Sequence, residues 1–464
     1  MSQSPNPIAA DVLLKGATLL TMNADRAVYK SGAMAIAKDR IVWVGQADDA
    51  AAAVEAKRTI DAAGQVISPG FINGHVHITG DPLTRHYMPD DLNDDDRLFT
   101  WVVPRYYAHT EEDERLSALF GSVELMKSGT TTFVEAGTIR YLDPVVDGLR
   151  ETGVRARVGA WVEGRSFEEN ADAAKHIDEA KRILNDEIAK YPSTDDALVS
   201  AWPILVGHTT NPDEVWLEAK ALADRYDLSV AAHMSPYASD PEWFEANLGS
   251  RPVTHLQSIG ALGPNVILTH ATHLDTAEID ALAATGTNIA FCPYAAIKGA
   301  FGVAAHGRYL EMIKAGVNFV FATDGYEAEV LPATRVGAAI FKDLGQDVGG
   351  MSALRALEKI TCEAAKAVGM EKDLGSLEVG KKADFVCFDT NNFQWRPLHS
   401  PLDQLVWSAD GRSIKDVWID GVQTISDGRA ALIDEAQLLE DAQNSAERII
   451  ERSSLPYLRT WSVN

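Results

Sequence analysis

Two histidines at the end of an apolar run are the residues of this chain whose spacing most directly suggests chemistry. His75 and His77 close the stretch "ISPGFINGHVH", residues 67–77. In a β-strand, residues two apart point to the same face, so both imidazoles would project together, about 6–7 Å apart. Both could then reach one metal ion, because metal–nitrogen distances are about 2.0–2.1 Å. Two hydrogen-bonded histidines at a strand end are the alternative interpretation of this segment alone.

Polar residues also close three later apolar runs. From residue 70 onward, eight short apolar runs alternate with helix-like stretches, which is the pattern of a (β/α)8 barrel. Barrel enzymes carry their chemistry at the C-terminal ends of the strands. His233 ends the fifth run, His270 the sixth and Asp324 the eighth. The chain has 12 histidines, and four of them at strand ends predict a single metal site.

This set of side chains suits a hydrolytic metal site. Neutral imidazoles and one carboxylate bind divalent metals such as zinc, cobalt or iron. A catalytic site of this kind keeps one position open for water, and the metal lowers the pKa of that water. A carboxylate beside the water can take its proton, and Asp324 is the natural candidate.

Strand-like segments lie on both sides of the barrel pattern. Residues 12–68 carry short runs separated by turns, and residues 383–389 and 414–428 carry more, with Asp420-Gly421 as a hairpin turn. We therefore expect an α/β fold, a (β/α)8 TIM barrel plus a small β-sandwich domain built from both chain ends. The predicted boundaries are 1–68 and 377–431 for the sandwich, 69–376 for the barrel, and 432–464 for a C-terminal helix and tail.

The composition is that of a globular protein with a strong negative charge. The 464 residues carry a formal net charge of −25, which argues against nucleic-acid or anionic-membrane partners. No apolar run reaches transmembrane length and the N-terminus lacks a signal-peptide pattern, so we expect a cytoplasmic protein. The three cysteines are far apart in sequence and indicate no disulfide framework.

Several strand-end segments together resemble one family. "PGFINGHVH", "GTTTFVE", "LTHATHLD", "FCPYAAIKG" and "ATDG" are similar to motifs of the metal-dependent amidohydrolase superfamily, in its mononuclear branch of chlorohydrolases and cytosine or guanine deaminases. The resemblance implies one divalent metal ion, zinc or cobalt with iron or manganese as alternatives. Its ligands would be His75, His77, His233 and Asp324. It also implies that His270 touches the attacking water or the polarised oxygen of the substrate, so that Asp324 and His270 are the predicted catalytic residues.

Two departures from the family pattern bear on the substrate. Deaminases of this branch usually carry a glutamate three residues after the strand-five histidine, and Pro236 stands at that position. Asp240 or Glu242 could substitute for it. Ala295 and Ala296 stand where relatives that bind nitrogen heterocycles often have Ser-Asn. Replacing hydrogen-bonding groups by methyl groups favours an apolar substrate.

The two departures point to an apolar, amide-like substrate, and in overall resemblance of its segments the chain is most similar to molinate hydrolase and phenylurea hydrolases. We therefore predict hydrolysis of a carbamoyl C–S or C–N bond, in a thiocarbamate such as molinate, a phenylurea or a carbamate, by hydroxide delivered from the metal. The alternative is a deaminase or dechlorinase of a nitrogen heterocycle such as a triazine, pyrimidine or purine. The substrate would be small, neutral and apolar, and the enzyme a homo-oligomer. The predicted substrate-binding residues, for which ordinary packing is the alternative role, are His208, Trp101, Tyr294 and Phe301.

Overall fold

The structure is a computed structural model that describes residues 6–92, 96–164, 176–207 and 209–456. His208, one of the predicted substrate-binding residues, lies outside the described residues. The described strands fall into three sheets. They are β1 Ile8–Leu20, β2 Val28–Ala37, β3 Arg40–Gln46, β4 Val54–Asp61, β5 Gln65–Pro69, β6 Phe71–Val76, β7 Thr130–Glu135, β8 Arg155–Val158, β9 Val199–Ala201, β10 Ile204–Leu205, β11 Val230–Met234, β12 Val266–His270, β13 Asn288–Phe291, β14 Phe319–Phe321, β15 Phe385–Asp389, β16 Ile414–Ile419, β17 Val422–Ser426 and β18 Arg429–Ala430.

Helices separate most strands of the central region. A π-helix, Asp96–Val102, precedes α3. The α-helices are α1 Ala50–Ala53, α2 Asp81–Thr84, α3 Val103–Tyr107, α4 Glu111–Lys127, α5 Leu142–Thr152, α6 Ile177–Lys190, α7 Asp213–Tyr226, α8 Ser239–Leu248, α9 Pro252–Ser258, α10 Thr276–Thr285, α11 Pro293–Lys298, α12 Val303–His306, α13 Tyr309–Lys314, α14 Val330–Gly345, α15 Ala353–Glu358, α16 Cys362–Ala367, α17 Pro401–Trp407 and α18 Glu435–Ser453. Among the described residues, none of these helices has both the length and the apolar character needed to cross a membrane.

The strands that carry the predicted site lie in two parallel sheets. One has the order β6-β7-β8-β9 and the other β10-β11-β12-β13-β14. Between β9 and β10 stands Pro203, which has no N–H to donate to a ladder. The backbone N–H of Asp324 donates to the carbonyl of His75 at 3.1 Å, so the end of the last parallel strand lies beside the end of the first. The predicted α/β architecture with parallel strands is confirmed, whereas closure of the strands into one ring stays a prediction.

These parallel strands are buried on both faces. Every residue of β6, β7, β8, β12 and β13 is buried. This burial is why β6, β12 and β13 are mostly apolar without strict alternation, since parallel sheets are covered on both sides. The predicted site residues stand at or just after the ends of these strands.

Strands from both ends of the chain share the third sheet. Its order is β18-β17-β16-β15-β5-β1-β2-β3, and β4 pairs with β1. The predicted hairpin joins β16 to β17, with φ of 53° at Asp420 and 77° at Gly421, as a tight turn between two strands requires. A Cβ on Gly421 would lie 2.0 Å from the Lys38 carbonyl oxygen, so only glycine fits. The two-layer sandwich and the domain boundaries stay predictions.

Buried charges join this sheet to the parallel strands. The guanidinium of Arg155, on β8, donates to Asp384 through Nε and Nη2, each at 3.1 Å. The same Nη2 lies 2.9 Å from Asp420, at the hairpin. The side chains of Arg155 and Asp384 are 2% and 3% exposed. Because β5 runs through Gly70 directly into β6, this junction also fixes the strand that carries His75.

Candidate metal centre and its cavity

The structure brings the five predicted strand-end residues together. His75 lies on β6 and His77 directly after it, His233 on β11 and His270 at the end of β12. Asp324 follows β14 by three residues. The ring centres of His75 and His77 are 5.3 Å apart, those of His75 and His233 4.6 Å, and those of His233 and His270 5.5 Å. Four separate parts of the chain thus meet at one point.

The donor atoms are close enough to share one cation. His77 Nε2 lies 3.1 Å from Asp324 Oδ1, and His270 Nε2 lies 3.9 Å from Asp324 Oδ2. Donor atoms of His75, His77 and Asp324 lie within 4.8 Å of one another, as do those of His75, His233 and His270. Ligand bonds of about 2.0–2.2 Å around one ion require separations of this size. His75 belongs to both groups.

Two of the buried imidazole nitrogens have no hydrogen-bond partner in the described part of the chain. They are Nε2 of His75 and Nδ1 of His233. Leaving such an atom unsatisfied costs about 1–3 kcal/mol, which coordination of a metal would offset. Burial also lowers the pKa of His75 and of His233 well below the usual value, so both imidazoles are neutral, as metal ligands must be. The residues present therefore fit a divalent metal ion.

Asp324 is held as a carboxylate. Burial alone would raise the pKa of Asp324, but the hydrogen bond with His77 and the neighbouring imidazoles hold it far below its usual value. For His77, burial opposes protonation, yet the hydrogen bond and charge of Asp324 outweigh it and raise the pKa of His77 to about 9. The two groups therefore form a buried ion pair when no metal competes for them.

The backbone is strained at two of these residues. His270 has φ of 78° and Asp324 has φ of 66°, in the left-handed region that non-glycine residues rarely adopt. Such conformations cost of the order of 1–3 kcal/mol each and persist where the surrounding structure imposes them. At both positions the chain turns sharply out of a buried strand, and the turn directs the side chain to the common centre.

A cavity of about 170 Å³ opens onto this centre. Phe301, one of the predicted substrate-binding residues, lines it and meets the His270 ring edge-on at 5.4 Å between ring centres. Trp101 and Tyr294 are not among its described lining residues. Trp101 is buried and lies 6.4 Å from the ring of Tyr87, and Tyr294 is 36% exposed on α11. The remaining wall is largely aromatic and aliphatic, from Leu98, Val102, Val103, Tyr106, Trp161, Val206, Pro236, Tyr237 and Tyr326.

The two departures from the family pattern occupy different environments. Pro236 forms part of the cavity wall, while Asp240 and Glu242 lie on α8 and are not among the described lining residues. Ala295 and Ala296 are fully buried on α11 and also do not line the cavity. Their methyl groups therefore face the protein interior, and the inference that they make the substrate pocket apolar is wrong.

Sequence reasoning missed several polar residues of the cavity. Asp81, Arg97, Arg105 and Thr138 line it. Besides Asp324, Asp81 is the one carboxylate among the described lining residues. Arg97 donates to the hydroxyl of Tyr237 at 2.7 Å. Asp81 follows His77 by four residues, which is a weak signal, since polar residues commonly follow a strand.

Comparison with known proteins places the chain in a family. The sequence profile of the Amidohydrolase family matches residues 66–424, more than three quarters of the chain. The chain belongs to the amidohydrolase family. The match begins within β5 and ends within β17, so it spans the parallel strands and part of the sheet built from both chain ends.

Individual relatives cover nearly the whole chain. A 5-methylthioadenosine/S-adenosylhomocysteine deaminase from Symbiobacterium thermophilum is 29% identical over 95% of this chain and 99% of its own. A 5'-deoxyadenosine deaminase from Methanosarcina acetivorans is 27% identical over 96% of this chain and 100% of its own. The crystal structure of an adenosine deaminase from Xanthomonas campestris with bound zinc superimposes with a TM-score of 0.86, at 26% identity, over 96% of this chain and 100% of that one.

These similarities correct the predicted reaction. All three relatives are named as deaminases of adenosine-type compounds, and none as a carbamoyl hydrolase. The prediction of carbamoyl C–S or C–N hydrolysis is therefore wrong, and the comparisons do not show the expected resemblance to molinate and phenylurea hydrolases. The predicted reaction rests on the departures at Pro236, Ala295 and Ala296 together with an overall resemblance of segments, and the two alanines do not line the cavity. The alternative, action on a nitrogen heterocycle, is the better supported of the two predicted functions.

Proposed function

We propose that this protein is a deaminase that hydrolyses the exocyclic amino group of a purine nucleoside-type substrate. Water supplies the oxygen that replaces nitrogen on the ring, and ammonia is released. The observation that carries the proposal is the meeting of His75, His77, His233 and Asp324 at the base of a largely apolar cavity. The near-full-length similarity to adenosine-type deaminases supports the substrate class.

Zinc is the proposed metal, since the similar adenosine deaminase structure contains it. When bound, a divalent metal polarises a water molecule and lowers its pKa enough for attack at neutral pH. The imidazoles of His75, His77 and His233 and the carboxylate of Asp324 would hold it. Cobalt, iron and manganese remain the alternatives that this donor set also accepts.

Asp324 carries the proton in the proposed reaction. Its carboxylate is ionised and lies at the edge of the cavity, so it accepts a proton as water adds to the ring carbon. The same proton then passes from Asp324 to the departing amine, which leaves as ammonia. Pro236 cannot ionise, so the glutamate expected there from the family pattern has no counterpart at that position. His270 lies beside Asp324, where its imidazole orients the attacking water toward the ring carbon while the ring nitrogen takes up the electron pair of the C=N bond.

The aromatic side chains of the cavity suit a flat heterocycle. Phe301 and Tyr237 meet edge-to-face at 4.9 Å between ring centres, and Tyr106 and Trp161 do so at 6.2 Å. All four line the cavity. Aromatic rings bind planar ligands through stacked or edge contacts. The proposed partner is therefore a small neutral molecule.

Ammonia release from a defined panel tests the proposal. Zinc-loaded protein is incubated with adenosine, 5'-methylthioadenosine, S-adenosylhomocysteine, guanine, cytosine and atrazine, and products are identified by mass spectrometry. We expect ammonia from at least one adenosine-type compound, with oxygen in place of the amino nitrogen. Chloride release from atrazine with no ammonia from any purine would contradict the proposal.

A further inference from the structure

The imidazole of His77 meets two hydroxyl groups on the side away from Asp324. Its Nδ1 lies 3.2 Å from Oγ1 of Thr138 and 3.3 Å from the hydroxyl of Tyr106. Thr138 is 3% exposed and Tyr106 4%. Both residues also line the cavity, so these contacts lie between the metal ligand and the substrate space.

Each hydroxyl already donates its single proton to a carboxylate. Thr138 Oγ1 donates to Glu135 Oε1 at 2.8 Å. The hydroxyl of Tyr106 donates to Asp81 Oδ2 in a short hydrogen bond. A hydroxyl whose proton is committed in this way can only accept from a third group. Nδ1 of His77 must therefore carry the proton, and it shares one N–H between two oxygen acceptors.

Both carboxylates have further contacts that keep them in place as acceptors of these hydroxyl groups. Glu135 is fully buried and also accepts the backbone N–H groups of Gly137 and Thr138, so both of its oxygens act as acceptors. Asp81 lies 3.5 Å from the buried guanidinium of Arg105 and packs against Gly325, where a Cβ would come within 2.1 Å of Oδ2. The two carboxylates are thus fixed in place by separate parts of the chain.

From this arrangement we infer that Glu135–Thr138 and Asp81–Tyr106 are two parallel positioning pairs that fix the tautomer and the ring orientation of His77. With one proton held on Nδ1, Nε2 of His77, the atom that faces Asp324, is the nitrogen that gives up its proton and offers a lone pair when a metal binds. A metal-binding histidine commonly donates its other N–H to a carboxylate or carbonyl, and loss of that partner weakens metal affinity about 10–100-fold. Here one N–H has two acceptors.

The testable consequence is that the two acceptors of the His77 N–H are redundant. If either hydroxyl suffices, Tyr106→Phe or Thr138→Val alone leaves one acceptor in place. The double variant leaves the N–H of His77 facing two apolar groups. We therefore expect a small loss of metal affinity, a fewfold, in each single variant, and a loss of about 10–100-fold in the double variant, larger than the product of the single effects. This expectation is independent of the proposed substrate.

The measurement uses the metal rather than the reaction. Metal-free protein is titrated with Zn²⁺ in competition with a chromophoric chelator, and the Co²⁺-loaded protein is examined by visible absorption, which reports ligand geometry. Thr334→Val is the matched control, since Thr334 is a fully buried threonine on α14 whose hydroxyl has no hydrogen-bond partner in the described chain. It should bind Zn²⁺ as the parent protein does.

The possible outcomes distinguish a loss of His77 positioning from a general loss of folded structure. In the expected result the double variant shows a shifted Co²⁺ spectrum and weakened Zn²⁺ binding with an unchanged far-ultraviolet circular dichroism spectrum. Restoring one hydroxyl, as Tyr106→Phe with Thr138→Ser, should recover most of the affinity. The inference is wrong if the losses of Zn²⁺ affinity in the two single variants simply multiply in the double variant. It is also wrong if the double variant keeps the parental Zn²⁺ affinity and Co²⁺ spectrum. Failure to deaminate purines would leave these results unaffected.

Discussion

Replacement of Arg155 by methionine should weaken the junction between the parallel strands and the sheet built from both chain ends. Arg155→Met keeps most of the side-chain volume and removes the charge. Asp384, whose side chain is 3% exposed, then loses two hydrogen bonds of 3.1 Å and keeps the Asp420 backbone N–H at 2.8 Å. Removing one partner of a buried ion pair costs about 3–5 kcal/mol, because the other charge stays buried.

Urea unfolding of the metal-loaded protein measures this cost. Tryptophan fluorescence and circular dichroism are followed together, since coincident transitions are needed before a free energy of unfolding is assigned. Arg182→Met is the matched control. Arg182 on α6 is 59% exposed and pairs with Glu179 and Asp186, and exposed pairs of this kind contribute about 0–1 kcal/mol.

A second variant tests the reason for the effect. Arg155→Met with Asp384→Asn removes both charges and keeps an acceptor for the Asp420 N–H. If the uncompensated charge causes the loss, this double variant should be more stable than Arg155→Met alone. The reasoning is refuted if Arg155→Met lies within about 1 kcal/mol of Arg182→Met, or if adding Asp384→Asn destabilises the protein further.

Four further outcomes concern the metal centre. Because Asp324 raises the pKa of His77 to about 9, Zn²⁺ must displace a proton from His77 below that pH. The apparent affinity for Zn²⁺ should therefore rise about tenfold per pH unit from pH 7 to 9. Chelator competition at each pH checks this, and a Zn²⁺ affinity that does not change with pH contradicts it. The metal-free ion pair stabilises the fold at low pH, and that stability should fall as the pH rises through 9. Zn²⁺ at 100 times its Kd should stabilise the protein by about 2.7 kcal/mol over the chelated form, measured by urea unfolding. Asp324→Asn should lower kcat at least 100-fold with an unchanged circular dichroism spectrum, and retained turnover would exclude Asp324 as the proton carrier.

Two positions contribute directly to the wrong prediction of the reaction. The sequence pattern predicts that Ala295 and Ala296 belong to the substrate pocket, because relatives that bind nitrogen heterocycles often have Ser-Asn there. In the structure both face the interior from α11, so their methyl groups leave the cavity unchanged. Pro236 does reach the cavity wall, but the loss of one proton donor does not exclude deamination while Asp324 is present.

The sequence by itself determined which residues stand at the strand ends. Both faces of the parallel strands are buried, so apolar residues are frequent in them and the histidines His75, His233 and His270 stand out in the sequence. The spacing of His75 and His77 indicates that both side chains lie on the same face of the strand. The hairpin at Asp420 and Gly421 was equally visible, since backbone conformations with positive φ favour few residue types.

Only the tertiary structure decided what surrounds these ligands. Tyr106 comes from the segment after β6 and Thr138 from the segment after β7, yet both hydroxyls meet at one nitrogen of His77. Each hydroxyl is held in turn by a carboxylate, Asp81 or Glu135. Hydrophobic periodicity specifies which face of a strand is buried, but it carries no information about where a loop returns. The course of a loop depends on packing and hydrogen bonds between residues far apart in sequence, and these exist only once the chain has folded.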